Sequence, residues 1–175
     1  MRLDLACGQC KKEGFLGVDK EMLSGVDIVC DLDQYPWPFE DESVYEIYCS
    51  HYVEHVRDLV KFMDECYRIL KPCSLMTIVC PYFSSERAWQ DPTHVRGITM
   101  KTFHYFDREW VKSIRMDHYI GNADFEVISV VPLVNSEWQG RADEAVKWAM
   151  RHYINVIDDL VVTLRKRYPG GGRAL

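Results

Sequence analysis

The chain has 175 residues, 47% of them hydrophobic and 27% charged, which suits one domain with a real core. Its 21 basic and 27 acidic side chains leave a net charge of −6, which argues against nucleic acid as a partner, since phosphate binding needs clustered positive charge. No run approaches the ~20 apolar residues of a membrane span, no leader reads off the first residues, and the seven cysteines, scattered through apolar runs, read as reduced thiols of a cytoplasmic protein.

The chain opens in a strand, Arg2 to Ala6, that runs into Cys7-Gly8. Further short apolar runs follow: Phe15 to Val18 ending at Asp19, Val26 to Cys30 ending at Asp31, Tyr45 to Cys49 ending at Ser50, and Leu75 to Cys80 ending at Pro81. They are β-branched and aromatic without clean polar alternation, the pattern of strands in a covered parallel sheet. Between the last two, Leu59, Phe62, Met63, Cys66 and Leu70 repeat at helical spacing, so a helix is predicted over Arg57 to Leu70, stopped by Lys71-Pro72. Strand, helix and strand in that order make a right-handed crossover. Helices are also predicted over Tyr105 to Met116 and Ala142 to Asn155, and strands over Phe125 to Val131 and Leu160 to Leu164. For the last run, continuation of the preceding helix is the rival reading. The expected organisation is one domain over residues 1–168 and a flexible tail over residues 169–175, rich in glycine.

Open parallel sheets bind ligands beyond the carboxyl ends of their strands. Here those ends carry Gly8, Asp19, Asp31 and Ser50-His51. A glycine lets backbone approach a ligand closely, and the Gly8 and Gln9 amides suit a carboxylate. An ionised Asp19 can accept from two neighbouring hydroxyls at once. Asp and Gly also favour turns after strands for purely local reasons; it is their recurrence, strand after strand, that points to a nucleoside site.

These words, in this order, resemble the class I S-adenosylmethionine-dependent methyltransferases. Leu3-Asp4-Leu5-Ala6-Cys7-Gly8 is similar to the family's first motif, and Gly17-Val18-Asp19 to its ribose-binding acidic position. Asp31-Leu32-Asp33 with Pro36 to Ser43, then Ser50 to Val56, then Arg68-Ile69-Leu70-Lys71-Pro72, resemble its later motifs. The resemblance implies an α/β, three-layer Rossmann-like fold, with a mostly parallel sheet of seven strands, the last antiparallel. It also implies S-adenosyl-L-methionine as cofactor, held at Asp4, Ala6, Gly8, Asp19, Asp31, Leu32 and Ser50. Ala6 and Cys10 stand where the family has glycine, and the ten residues between Gly8 and Asp19 are too few for its full first helix. That marks a compact subset with a shortened first helix.

On the acceptor side, residues 82–107 gather Tyr82, Phe83, Trp89, Asp91, His94, Arg96, His104 and Phe106 after the fifth strand. Long loops of this kind are often lids. Transfer of a methyl group from a sulfonium is an in-line displacement that gains mostly from alignment in a dry pocket. An oxygen acceptor needs a base, for which His94 is the first candidate and His51 the second, with Asp91 beside them. Tyr82, Phe83, Trp89, Arg96 and His104 are the expected acceptor contacts, Arg96 as a two-point cation for carboxylate or phosphate. The alternative reading for His94 and Arg96 is that they satisfy the loop's own buried carbonyls. The expected partner is a small-molecule or glycan-type acceptor, neither nucleic acid nor membrane.

Three other functions compete. A non-catalytic module would bind the cofactor without turnover. His51-Tyr52-Val53-Glu54-His55 matches the H-x-x-E-H pattern of zinc hydrolases, but no third ligand can be placed from sequence, so no metal is expected. Cys7-Gly8-Gln9-Cys10 matches a C-x-x-C redox pair, in a position that a cofactor loop explains better.

Overall fold

A computed structural model describes residues 1–116, 118 and 121–168; the expected tail, residues 169–175, lies outside them. The strands are β1 (Arg2–Leu5), β2 (Leu16–Asp19), β3 (Ile28–Val29), β4 (Val44–Ser50), β5 (Leu70–Pro81), β6 (Phe125–Val134) and β7 (Ile157–Lys166). The helices are α1 (Leu59–Ile69), α2 (Arg108–Ser113) and α3 (Asp143–Ala149). The sheet runs β3-β2-β1-β4-β5-β7-β6. The pairs from β3 through β5 are parallel, and β7 lies antiparallel between β5 and β6. Fold class, strand number and the antiparallel last strand match expectation, and the 160–164 run is strand rather than helix.

Register explains the core. Leu3 pairs with Ile47, Ile47 with Met76 and Met76 with Leu164; Leu5, Cys49, Ile78 and Val162 form the next row. Side chains in register share a face, and all eight are fully buried. Helix α1 supplies Phe62, Met63, Cys66 and Ile69 to the same core cluster. Asp58 caps it by accepting from the Lys61 amide at 3.0 Å.

The opposite face is built differently. Asp4, Tyr48, Thr77 and Thr163 stand in register there, beside exposed Leu75 and Val131. No helix lies between β1 and β4, so the three-layer expectation is met thinly on this face. Over Asp4 and Tyr48 the cover is the 6–15 loop. The Asp4 carboxylate accepts from the Lys12 amide at 2.7 Å, and Lys12 Nζ sits 4.0 Å from the centre of the Tyr48 ring.

Some boundaries differ from expectation for local reasons. β5 begins at Leu70, directly after α1, and tolerates Pro72 because the register jumps between Val44–Leu70 and Glu46–Leu75, with Cys73 at φ 65°; a proline is accepted at such an irregularity. The predicted 105–116 helix divides into a 3₁₀ turn (Thr102–Phe106) and α2, because Asp107 caps a new start by accepting from the Glu109 and Trp110 amides. α3 stops at Ala149, short of the predicted Asn155.

Candidate active site

The strand order reverses between β1 and β4, which places the ligand crevice of an open α/β sheet beyond Leu5 and Cys49. At that rim Gly8 has φ +54°, and the space a Cβ would occupy is open. The carboxylate its amide meets is that of Asp19: Gly8 N–H donates to Oδ2 at 3.0 Å, and the Glu21 amide donates to Oδ1 at 3.2 Å. A carboxylate has roughly four acceptor positions, so Asp19 keeps capacity for ribose hydroxyls while being aimed by its own loop. Gly17 is obligatory in this arrangement, since a Cβ there would lie 2.2 Å from the Gly25 carbonyl oxygen.

The neighbouring expected contacts are more varied. Asp31 is exposed and caps its own turn through the Asp33 amide at 3.0 Å. Leu32 is buried, and its carbonyl accepts from Trp37 Nε1 at 3.2 Å. Arg68, from the end of α1, fixes this loop by donating to the carbonyls of Trp37 and Phe39 and to Glu65 and Asp41. Ala6 holds φ 55°, a left-handed conformation usually left to glycine. Asp4 faces the Lys12 amide rather than the rim, while half-buried Ser50 ends β4 beside β1 and β5.

Cys7 is not poised for redox chemistry. Burial first, then the carboxylates of Asp4 and Asp19, push its thiol pKa up, the opposite of what an attacking thiolate needs. Only Cys10 of the pair is exposed.

The second half of the rim joins segments forty residues apart. The H-x-x-E-H run is not helical: His51 to Val56 are turns, with His51 at φ 53°, and α1 begins only at Leu59. Residues 91–96 fold back onto it. The Val95 amide donates to the Glu54 carbonyl at 2.9 Å, and the Arg96 guanidinium donates to the carbonyls of Val53, Val56 and Arg57. Arg96 thus follows the alternative reading, with both of its Nη atoms donating to backbone carbonyls.

This folding back forms a pocket of ≈ 380 Å³ at the ends of β4 and β5, lined by His51, Glu54, His55, Arg87, Asp91 and His94 among others. His94 is nearly buried, its Nδ1 lying 3.1 Å from the Ala88 carbonyl oxygen and its Nε2 4.0 Å from Glu54 Oε1. His51, about half exposed, places Nδ1 3.4 Å from the same oxygen. Glu54 raises the His51 pKa, against the opposing effect of burial. Asp91 accepts from the Thr93 amide and hydroxyl at 2.8 and 2.7 Å, which hold its carboxyl below the usual range. Arg87 pairs with buried Asp159 at 2.8 Å. Sequence reading missed Arg87 and Thr93; the Asp-x-Thr spacing, a local turn signal, was the available hint for Thr93.

The aromatic candidates divide. Tyr82 is buried in the core cluster, while Phe83 and Trp89 are exposed, Trp89 donating to the Phe83 carbonyl at 2.8 Å. Phe106 lines a different, apolar pocket of ≈ 550 Å³ with Leu59, Tyr105 and Met116. His104 packs on Trp110, and among the described residues its buried Nδ1 has no partner.

Residues 3–78 match the family model described as Methyltransferase domain. That segment, 76 of the 175 residues, is similar to a methyltransferase domain. The matched segment contains the Gly8–Asp19 rim and β4. Solved structures agree in fold. A SAM-dependent methyltransferase from Archaeoglobus fulgidus aligns at TM-score 0.63 and 20% identity, over 94% of this chain and 85% of that one. The complex between the Haloferax volcanii Trm112 methyltransferase activator and the putative methyltransferase aligns at 0.60 and 16%, over 98% and 83%. The [4+2]-cyclase SpnF aligns at 0.58 and 16%, over 95% and 75%, so this fold also serves other chemistry. No curated protein matches the chain. Among the described residues, no helix is long and apolar enough to cross a membrane.

Proposed function

We propose that residues 1–168 form one methyltransferase domain that transfers a methyl group to an oxygen of a small-molecule or glycan-type acceptor. The observation that carries this reading is the adjacency of two half-sites on one sheet rim: a glycine–aspartate nucleoside cradle after β1 and β2, and a histidine-lined pocket after β4 and β5. Gly8, Asp19, Asp31 and Leu32 fit the cofactor, since the space over Gly8 is open and Asp19 retains acceptor positions. When bound there, the cofactor supplies an electrophilic methyl group on a sulfonium.

The chain's own tasks are to orient the acceptor, exclude water and take its proton. His51 is the better placed base: Glu54 stands at its Nδ1 side, and about half of its side chain is open. His94, the first candidate from sequence, has its Nδ1 engaged by a carbonyl and its Nε2 turned toward Glu54. Asp91 and Arg87 line the same pocket and supply polar contacts for hydroxyl groups. The net charge of −6 supports a neutral or cationic acceptor over nucleic acid, and the seven free thiols suit the cytoplasm.

The test is methyl transfer from isotope-labelled cofactor to a panel of hydroxylated small molecules and glycans. The reading requires turnover on at least one oxygen acceptor and its loss, at least a hundredfold, in His51→Gln. Cofactor binding with no turnover on any acceptor would instead assign a binding module.

A further inference from the structure

The pocket holds one group whose deep burial its place beside His51 does not explain. Glu54 is 1% exposed, and among the described residues neither carboxylate oxygen accepts a hydrogen bond; His51 Nδ1 at 3.4 Å and His94 Nε2 at 4.0 Å are near Oε1 but at ion-pair range only. Burying a carboxylate without hydrogen bonds is costly, and such a group normally gains donors, protonates or coordinates a metal. Glu54, His55 and His94 each offer a ligand atom, and the three atoms lie within 4.8 Å of one another.

The two imidazoles are already set as ligands. The Thr93 hydroxyl contacts Asp91 Oδ1 at 2.7 Å and His55 Nδ1 at 2.9 Å. An ionised carboxylate only accepts, so the single hydroxyl hydrogen goes to Asp91, and His55 must donate its Nδ1–H to Thr93. His94 Nδ1 faces the Ala88 carbonyl and must donate as well. In its neutral form each ring held this way turns Nε2 outward as its lone-pair nitrogen. A metal-ligating histidine is oriented in this way, its other nitrogen donating to a carbonyl or to a group backed by a carboxylate. The scaffold is rigid, because Arg96 and the Val95 amide bind the two loops together through backbone carbonyls.

We propose that Glu54, His55 and His94 form a binding site for a divalent transition-metal ion. Two imidazoles and one carboxylate suit zinc-type ions, whereas magnesium and calcium take oxygen ligands. Three protein ligands leave coordination positions open, and the pocket bounded by His51, Arg87, Gln90 and Asp91 gives them room. This is not the donor set of the H-x-x-E-H pattern: His51 stands outside it, and the third ligand comes from the 91–96 loop. The assignment stands on this geometry and shares Glu54 with the His51 base proposed above.

The experiment is titration of chelator-treated full-length protein with Co²⁺ and Zn²⁺, followed by absorption spectroscopy and calorimetry. One equivalent of Co²⁺ should bind with visible bands of nitrogen and oxygen ligation and without the intense near-ultraviolet band of thiolate ligation. His94→Gln and His55→Gln should each weaken binding at least a hundredfold with the circular dichroism spectrum unchanged, and Cys10→Ser should bind like the wild type. Glu54→Gln should fold at least as stably as metal-free wild type and lose the ion. Absence of stoichiometric binding, a thiolate band, or unchanged affinity in the histidine variants would overturn the site. S-adenosylhomocysteine titrated into the same samples separates the two readings: nucleoside binding without metal binding removes this site alone, and metal binding without nucleoside binding removes the methyl-transfer proposal alone.

Discussion

The two halves of the rim are made in different ways. The cofactor half is local: Gly8 and Asp19 follow adjacent strands, and a single hydrogen bond from one to the other sets their geometry. The acceptor half is not local, since His51–His55 and His94 meet only because Arg96 and Val95 fasten one loop to the carbonyls of the other. A guanidinium fixes a loop in each half, Arg68 against the carbonyls of Trp37 and Phe39 and Arg96 against those of Val53, Val56 and Arg57. Disturbing the first half should therefore alter nucleoside affinity with little effect on the pocket. Disturbing the second should dismantle the pocket and leave the cradle.

The largest expected effect is from Arg96→Met. It leaves the carbonyls of Val53, Val56 and Arg57 without their donor, at a cost of about 3 kcal/mol, read from urea unfolding. The contrast between the halves predicts that the remaining folded protein still binds S-adenosylhomocysteine; equal loss of both would show that the halves are one unit.

Next in size is Gly8→Ala. It puts a Cβ into the space over the cradle and a side chain at φ +54°, costing about 1 kcal/mol of stability. Nucleoside affinity should fall about tenfold while acceptor-side variants show no such loss, as calorimetry would reveal.

How much was legible in the sequence follows the same division. Strands ending in Gly8, Asp19 and Asp31 could be read because strand and ligand group are neighbours in the chain. The Arg68 motif was recognisable as a word, though its role in holding the 37–41 loop was not. The pairing of Glu54 with His94 could not be read, because it depends on where a forty-residue excursion lands. Arg96 shows the difficulty well: the same residue type serves a bound anion or a ring of carbonyls, and only the fold distinguishes them. Periodicity also overestimated α3 and the 105–116 helix, where the Asp107 cap outweighed a continuous apolar spacing.

A smaller effect concerns pH. Burial pushes the Asp4 carboxyl above its ordinary value, against the Lys12 amide and the charges of Lys12 and Lys11. The folded state then binds a proton more tightly than the unfolded chain, so this contribution is fully present below about pH 3.9 and lost as pH rises through the folded value. The stability of wild type minus that of Asp4→Asn should fall as pH rises from 3 to neutrality. A difference that stayed flat or rose in urea titrations across that range would contradict the burial argument. Smallest is Ala6→Gly, which relieves φ 55° and should stabilise by under about 1 kcal/mol, sharpening the cradle without touching the pocket.

The central claim is a nucleoside cradle aimed by Asp19, and calorimetric titration of S-adenosylhomocysteine into wild type and Asp19→Ala tests it most directly. The account predicts one binding site per chain in the wild type and affinity about thirtyfold weaker in the variant, equivalent to roughly 2 kcal/mol of lost hydrogen bonding. No heat of binding to the wild type, or equal affinity in both proteins, would contradict it.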